Sequence, residues 1–431
     1  MTGTPTGRLL PFRLYRWTDP TVTVLAVAAL AAGFGQFGAV AALGDVARQF
    51  GQVTHGTTVA DQAGLSGTEL AAGLAVIRLA SLGGLPVSGA ADRLGRRRVL
   101  LSALAAGLAL TVVAAASPSY WWFVAIFALG RPFLSAAAAL TQVVAAEETS
   151  SAERAKAIAF VTAGYGIGAG LAAIVHSLAS GSLGFRGLFA LAVVPLALLP
   201  LVARRLVEPE RFAVAAAAAE HPLPVLGPVG PPFRRRLVVV AALAFAISVI
   251  TGPANSFVFL FAQDVVHQPG YVTASMVAGA GVTGLAGLLA GRWLADHVGR
   301  RATGAVGIVG VALFGTLTYT GSRPALLVGY LLGVLAGSVF APAGGALVNE
   351  LFPTGVRASV AGWWVASGVI GAGAGLVEFG AVADAGGRWA VAAAVTFLPA
   401  VAASVLFWFL PETLGREPED LWPAATGPPG G

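Results

Sequence analysis

The sequence predicts an all-α integral membrane protein whose twelve transmembrane helices form two pseudo-symmetric six-helix bundles. Three observations carry that prediction: about a dozen apolar runs of spanning length, basic residues gathered on one side of those runs, and motifs that recur roughly 200 residues further on. The chain of 431 residues is 57% hydrophobic and only 11% charged, against about 45–50% apolar and about 25% charged in soluble domains. It contains no cysteine, which excludes a disulfide framework and a thiolate metal site.

A helix needs about 20 residues to cross roughly 30 Å of hydrocarbon. The first run, 21–43, carries Gln36 between Phe34 and Phe37. The second, 67–87, opens with Ser66-x-x-Glu69, the pattern of a capping box, and holds Arg78. The third, 99–116, follows the charged stretch GAADRLGRRR, and the fourth, 120–146, contains Arg131 and leads to Glu147. The fifth, 155–179, includes GYGIGAG with Tyr165, and the sixth, 187–203, ends on Arg204 and Arg205. The seventh, 237–262, follows three arginines and contains Gly252-Pro253, expected to break the helix beside Asn255 and Ser256. The remaining runs are 272–294, 302–320, 325–349, 358–383 with Glu378, and 389–410.

Residues 1–20 read as a cytoplasmic arm, since no short cleavable apolar core precedes the first run. With that end inside, twenty Lys and Arg fall on the inner side, four on the outer side and two within runs, which accounts for all 26. This asymmetry places both termini in the cytoplasm and the chain in the plasma (inner) membrane, and it explains the basic balance without nucleic acid. The expected organisation is an arm 1–20, a bundle 21–203, a cytoplasmic linker 204–236, a second bundle 237–410 and a cytoplasmic tail 411–431. An alanine run in the linker suggests a short surface helix.

The halves repeat one another. Asp92-Arg93-x-Gly95-Arg96-Arg97 matches Asp296-x-x-Gly299-Arg300-Arg301, and Glu147-x6-Arg154 matches Glu350-x6-Arg357. Gly33, Gln36 and Asp45 pair with Gly252, Asn255 and Asp264 at one common offset. These residues resemble the signature of the major facilitator superfamily. VEPERF after the sixth run and PETLGREPEDL after the twelfth resemble its sugar and small-metabolite branch. The resemblance covers roughly residues 20–421 and implies transport by alternating access. Ser88 and Arg292 stand where the signature has a leading glycine, with Gly89 and Gly291 one residue off, so a looser helix contact is expected. The seventh run lacks the paired glutamine of sugar porters, and the fifth lacks the Gly-Pro of drug antiporters.

An arginine in mid-bilayer costs about 2.5 kcal/mol or more on insertion scales and faces a cavity or a partner. Arg131 and Arg78 fall about 16 and 18 Å along their helices, near the midplane. They are candidates to neutralise a solute, with Gln36, Tyr165, Asn255 and Ser256 as further binding residues; a structural hydrogen-bonding role is the alternative. Asn349, Trp363 and Trp364 are candidate cavity or packing residues. Asp92, Arg93, Gly95, Arg96, Arg97, Glu147 and Arg154, with Asp296, Gly299, Arg300, Arg301, Glu350 and Arg357, are the candidate gate, in which Asp92 accepts from the first amides of helix 11 and from a nearby arginine. Glu378 and Glu69 are the candidate coupling groups. The five histidines have no metal-ligand spacing and read as surface or loop residues.

No phosphate loop, dinucleotide fingerprint, metal cluster or nucleophile motif is present, so an enzyme is not expected, nor a cofactor. The reading is a secondary transporter of a small polar or anionic organic solute, proton-coupled and importing, and a monomer in the lipid bilayer. Export of a drug or metabolite, and a non-transporting solute receptor, are the alternatives.

Overall fold

A computed structural model describes residues 15–422, apart from 55, 57, 210–225, 387 and 417. The alanine run of the linker, His55, His221 and the first fourteen residues of the arm lie outside the described residues. Twelve described helices are long and apolar enough to span a membrane. They are α1 (Pro20–Ala41), α2 (Gly67–Leu94), α3 (Arg96–Ala114), α4 (Tyr120–Glu148), α5 (Ala152–Ala179) and α6 (Ser182–Arg205) in the first half. The second half holds α7 (Pro231–Val265), α8 (Gly270–His297), α9 (Arg300–Thr318), α10 (Arg323–Glu350), α11 (Val356–Ala385) and α12 (Trp389–Phe409).

Several helices begin before their apolar runs because local chemistry starts them early. Gly95 and Gly299 adopt φ of +102° and +116°, a conformation that costs a residue with a side chain about 1–2 kcal/mol. The chain turns sharply there, so the arginines after each glycine form the first turn of α3 and α9. Proline at the first two positions of α7 is preset for a helix start.

Between apolar helices in lipid, association rests on close packing, and small residues permit it. Gly33 of α1 packs on the Tyr165 carbonyl, while Gly164 and Gly168 of α5 pack on the carbonyls of Ala26 and Leu30. A methyl group at any of the three would overlap backbone. The second half repeats this contact: Gly371 and Gly375 of α11 meet the Phe245 and Val249 carbonyls of α7. One pair of glycines four residues apart therefore fastens the same helix pair in each half.

The break in α7 lies beyond Gly252-Pro253, at Phe257, where a turn of π-helix follows over Phe261–Val265. Proline removes only its own N–H, and α11 packs against the turn before it. Beside the break, the Tyr319 hydroxyl donates to Ala254 O at 2.9 Å, with Pro253 O, which also accepts from Phe257 N, at 3.3 Å.

Candidate functional site

A cavity of about 170 Å³ lies between α1, α2, α4 and α5, with Ser256 of α7 closing it from the other half. The glycine contact of α1 with α5 brings Tyr165 beside Gln36, and the Tyr165 hydroxyl donates to Gln36 Oε1 at 3.4 Å. Gln36 is buried and donates from Nε2 to the Leu134 carbonyl at 2.9 Å. Arg131 is 8% exposed, and its Nη1 donates to the Gln36 carbonyl at 2.9 Å, while its buried Nε finds no hydrogen-bond partner. Arg78 enters the same cavity from α2, and the lining contains no carboxylate. Phe37, Leu74, Ile77 and Phe127 supply an apolar wall. The result is two guanidinium groups and a few oriented hydrogen-bonding groups in an otherwise apolar enclosure, chemistry suited to an organic anion.

Of the six candidate binding residues, Gln36, Arg78, Arg131, Tyr165 and Ser256 converge here. Asn255 does not. Its Nδ2 donates to the Thr251 carbonyl at 3.0 Å, and it lines a separate cavity of about 300 Å³ with Thr318, Tyr330 and Ser338. Asn349 is bonded to the Gly345 carbonyl, Trp363 to the Gly227 carbonyl, and Trp364 stacks on Phe340; none lines the central cavity.

The signature residues form two matching clusters at the basic end of the helices. Arg96 bridges Asp92 and Glu147, the latter at 3.1 Å. Arg300 bridges Asp296 at 3.3 Å and Glu350 at 3.4 Å. Arg97 donates to the Leu206 and Ala203 carbonyls, and Arg301 donates to the Trp408 carbonyl while its guanidinium lies 5.8 Å from that indole ring. Arg154 and Arg357 donate to the carbonyls of Ala146 and Phe352, where α4 and α10 end. Arg93 is exposed. These bonds join helices within each half. The nearby arginine expected for Asp92 is Arg96, and among the described residues no bond from helix 11 reaches Asp92. The departures at Ser88 and Arg292 are absorbed differently in the two halves. Nothing lies within 4 Å of a methyl group built on Gly89, whereas one on Gly291 would meet the Val339 carbonyl at 2.5 Å.

Sequence reasoning missed the two residues that complete these clusters. Glu208 accepts from the backbone N–H groups of Arg96 and Arg97, and Glu412 from those of Arg300 and Arg301 at 2.9 and 3.2 Å. Each carboxylate caps a helix N-terminus, satisfying donors that have no partner inside the helix. Their signal was the glutamate beside proline in VEPERF and PETLGREPEDL. Burial opposes the charge on Glu412, but its four backbone donors prevail and hold the carboxyl below the usual glutamate range.

At the far end, bonds join the two halves. The Asp384 carboxylate of α11 accepts from the N–H groups of Gly67 and Thr68 in α2 at 2.7 and 2.8 Å. Arg48, in the short helix Leu43–Phe50, pairs with Asp264 of α7 and with Asp45. Trp389 donates to Gln62 at 3.2 Å. His176 is not a surface residue. It is 2% exposed in α5, with its ring nitrogen 2.7 Å from the Asp45 carboxylate, because Asp45 offers a buried acceptor opposite it. Burial works against the Asp45 charge, yet His176 and Arg48 outweigh it and keep that carboxyl below its usual range. The candidate coupling groups lie elsewhere: Glu378 sits on an exposed face of α11, and Glu69 in the first turn of α2 beside the Ser66 cap.

A family profile described as Major Facilitator Superfamily matches residues 25–294 and 276–428. Among curated proteins, a probable 4-methylmuconolactone transporter of Cupriavidus pinatubonensis is 27% identical over 302 residues, covering 68% of this chain and 69% of that protein. A putative metabolite transport protein of Haemophilus influenzae is 25% identical over 301 residues, covering 65% and 71%. Among solved structures, the xylose transporter XylE from E. coli, in an inward open conformation, superposes with a TM-score of 0.71 at 19% identity, covering 93% of this chain and 99% of that one. The human organic anion transporter MFSD10 gives 0.64 at 17% identity, covering 91% and 99%.

Proposed function

From the premise that this chain belongs to the major facilitator superfamily and is a membrane transporter, we propose that it moves a small organic anion by alternating access, taking it up together with protons. The observation that carries the anion is the Arg131 guanidinium. It is buried near the middle of α4 with an unpartnered Nε, beside Arg78, in a cavity without a carboxylate. Arg131 is buried and Arg78 half-buried; cations held out of water without a counter-charge are costly, and a bound carboxylate or phosphate supplies the missing acceptors. The cavity volume of about 170 Å³ fits a compact solute.

The positive-inside count supports placing the basic end in the cytoplasm. Under that orientation the bonds joining the halves lie on the outer side, so the present conformation is read as inward-facing. Proton coupling has a separate physical support. An inside-negative potential opposes anion entry by about 2.3 kcal/mol per charge per 100 mV, and a co-transported proton cancels that term.

The test is uptake of radiolabelled organic acids into proteoliposomes, with and without an imposed pH gradient. Arg131→Gln is expected to raise KM at least about tenfold, because a buried anion that loses its charged partner is left unpaired. Wild-type KM and rate in Arg131→Gln would remove the anion site. Uptake indifferent to the gradient would remove proton coupling, and efflux alone would reverse the direction.

A further inference from the structure

We propose that Asp384 is the outer gate residue, the counterpart of Asp92, and that the two carboxylates hold α2 and α11 together in alternation. The helices are antiparallel neighbours. The end of α2 carrying Asp92 lies on the same side as the start of α11, and the end of α11 carrying Asp384 lies beside the start of α2. Each helix thus brings a carboxylate to the amino terminus of the other, where free N–H groups and the helix dipole favour an anion.

Only one of these contacts is made in the present conformation. Asp384 accepts from both Gly67 and Thr68, the first two residues of α2, through its two oxygens. Ser66 takes the next donor, Glu69 N, at 3.1 Å, so the carboxylate serves amides that the local cap leaves unserved. The approach is close: a methyl group on Gly380 would overlap the Gly67 carbonyl. At the opposite end, Asp92 is turned to Arg96 of its own half and retains a side-chain exposure of 26%. Asp384 makes the present state, and Asp92 released from Arg96 makes the other.

This proposal rests on the alternating-access reading, and the chain offers a direct test because it has no cysteine to remove. Val53→Cys in the first half and Arg323→Cys in the second are exposed positions at the far end, and their spin labels report the distance across it. In reconstituted protein, Asp384→Asn is expected to lower the ratio of the short-distance to the long-distance population by about fivefold or more. Thr68→Pro removes one donor, leaves the carboxylate intact and sits in a helical turn that accepts proline, and it is expected to shift the ratio the same way. Asp92→Asn is expected to raise it. Unchanged populations in both Asp384→Asn and Thr68→Pro overturn the proposal, as does a shift of Asp92→Asn in the same direction as Asp384→Asn. A parent protein with a single distance, with and without solute, overturns the alternating-access reading instead.

Discussion

At Gly95 and Gly299 the two signature glycines answer to backbone geometry. Both have positive φ, and a side chain there meets a capping glutamate as well: a methyl on Gly95 would stand 3.0 Å from Glu208 Oε2, and one on Gly299 2.7 Å from Glu412 Oε2. Gly89 has an ordinary helical backbone and open space around it. Gly95→Ala is therefore expected to destabilise the protein by about 1–2 kcal/mol, while Gly89→Ala is neutral or stabilising by up to about 1 kcal/mol. Thermal unfolding in detergent distinguishes them, and equal losses at the two sites would refute the backbone argument. Arg78 and Arg131 stood out in the sequence for a related reason: an arginine inside an apolar run has no cheap explanation. Asp384 and Arg48 did not stand out, and Asp264 did so only as the repeat partner of Asp45, because all three sit where helices end and polar residues are ordinary. Their meaning lies in partners hundreds of residues away, which spacing along the chain does not reveal. Asn255 lines a different cavity from its repeat partner. It shares its register with Gln36, but residues one apart on a helix point about 100° from each other, and it is Ser256 that faces the central cavity.

At the scale of elements, two short loops set the starts of α3 and α9. Glu208 and Glu412 lie just beyond α6 and α12, so the end of one helix caps the beginning of another in each half. Loss of such a cap costs about 0.5–2 kcal/mol. Glu412→Gln should lower the melting temperature at neutral pH. Because the folded-state carboxyl is held below its usual value, the stabilisation is complete above the ordinary glutamate value of about 4.3. It is lost as pH falls further and the carboxyl protonates. Wild type and Glu412→Gln should then converge in acid, and a gap that persists there would point to packing rather than charge. The helix pattern itself was readable because hydropathy and length are local. The glycine pairs that fasten α1 to α5 and α7 to α11 were also visible as residues, but their meaning needed a partner backbone. GYGIGAG reads as a packing seam only once the Ala26 and Leu30 carbonyls lie against it.

For the whole molecule, the duplicated architecture distributes its bonds unequally. The basic end holds two self-contained ionic clusters, and the far end holds the bridges that span the halves. The repeat accounts for the matching clusters, while the bridges break it: Asp45 has His176 and Arg48, whereas its repeat partner Asp264 shares Arg48 across the interface. Such an asymmetry marks one of several arrangements of two rigid bodies, and no pattern in the sequence specifies which arrangement is adopted.

The carboxylate-free cavity also bears on the journey made without cargo. A loaded carrier reorients with its cationic pair neutralised, but an empty one must carry Arg78 and Arg131 through the closed intermediate uncompensated. The return stroke is then the slow one. Proteoliposomes preloaded with unlabelled solute should take up label several-fold faster than empty vesicles, as lowering that barrier by about 1.4 kcal/mol gives a tenfold rate. Equal rates would mean that the empty carrier finds another way to screen its charge. Faster uptake into preloaded vesicles would make the proposed anion importer an exchanger by kinetics.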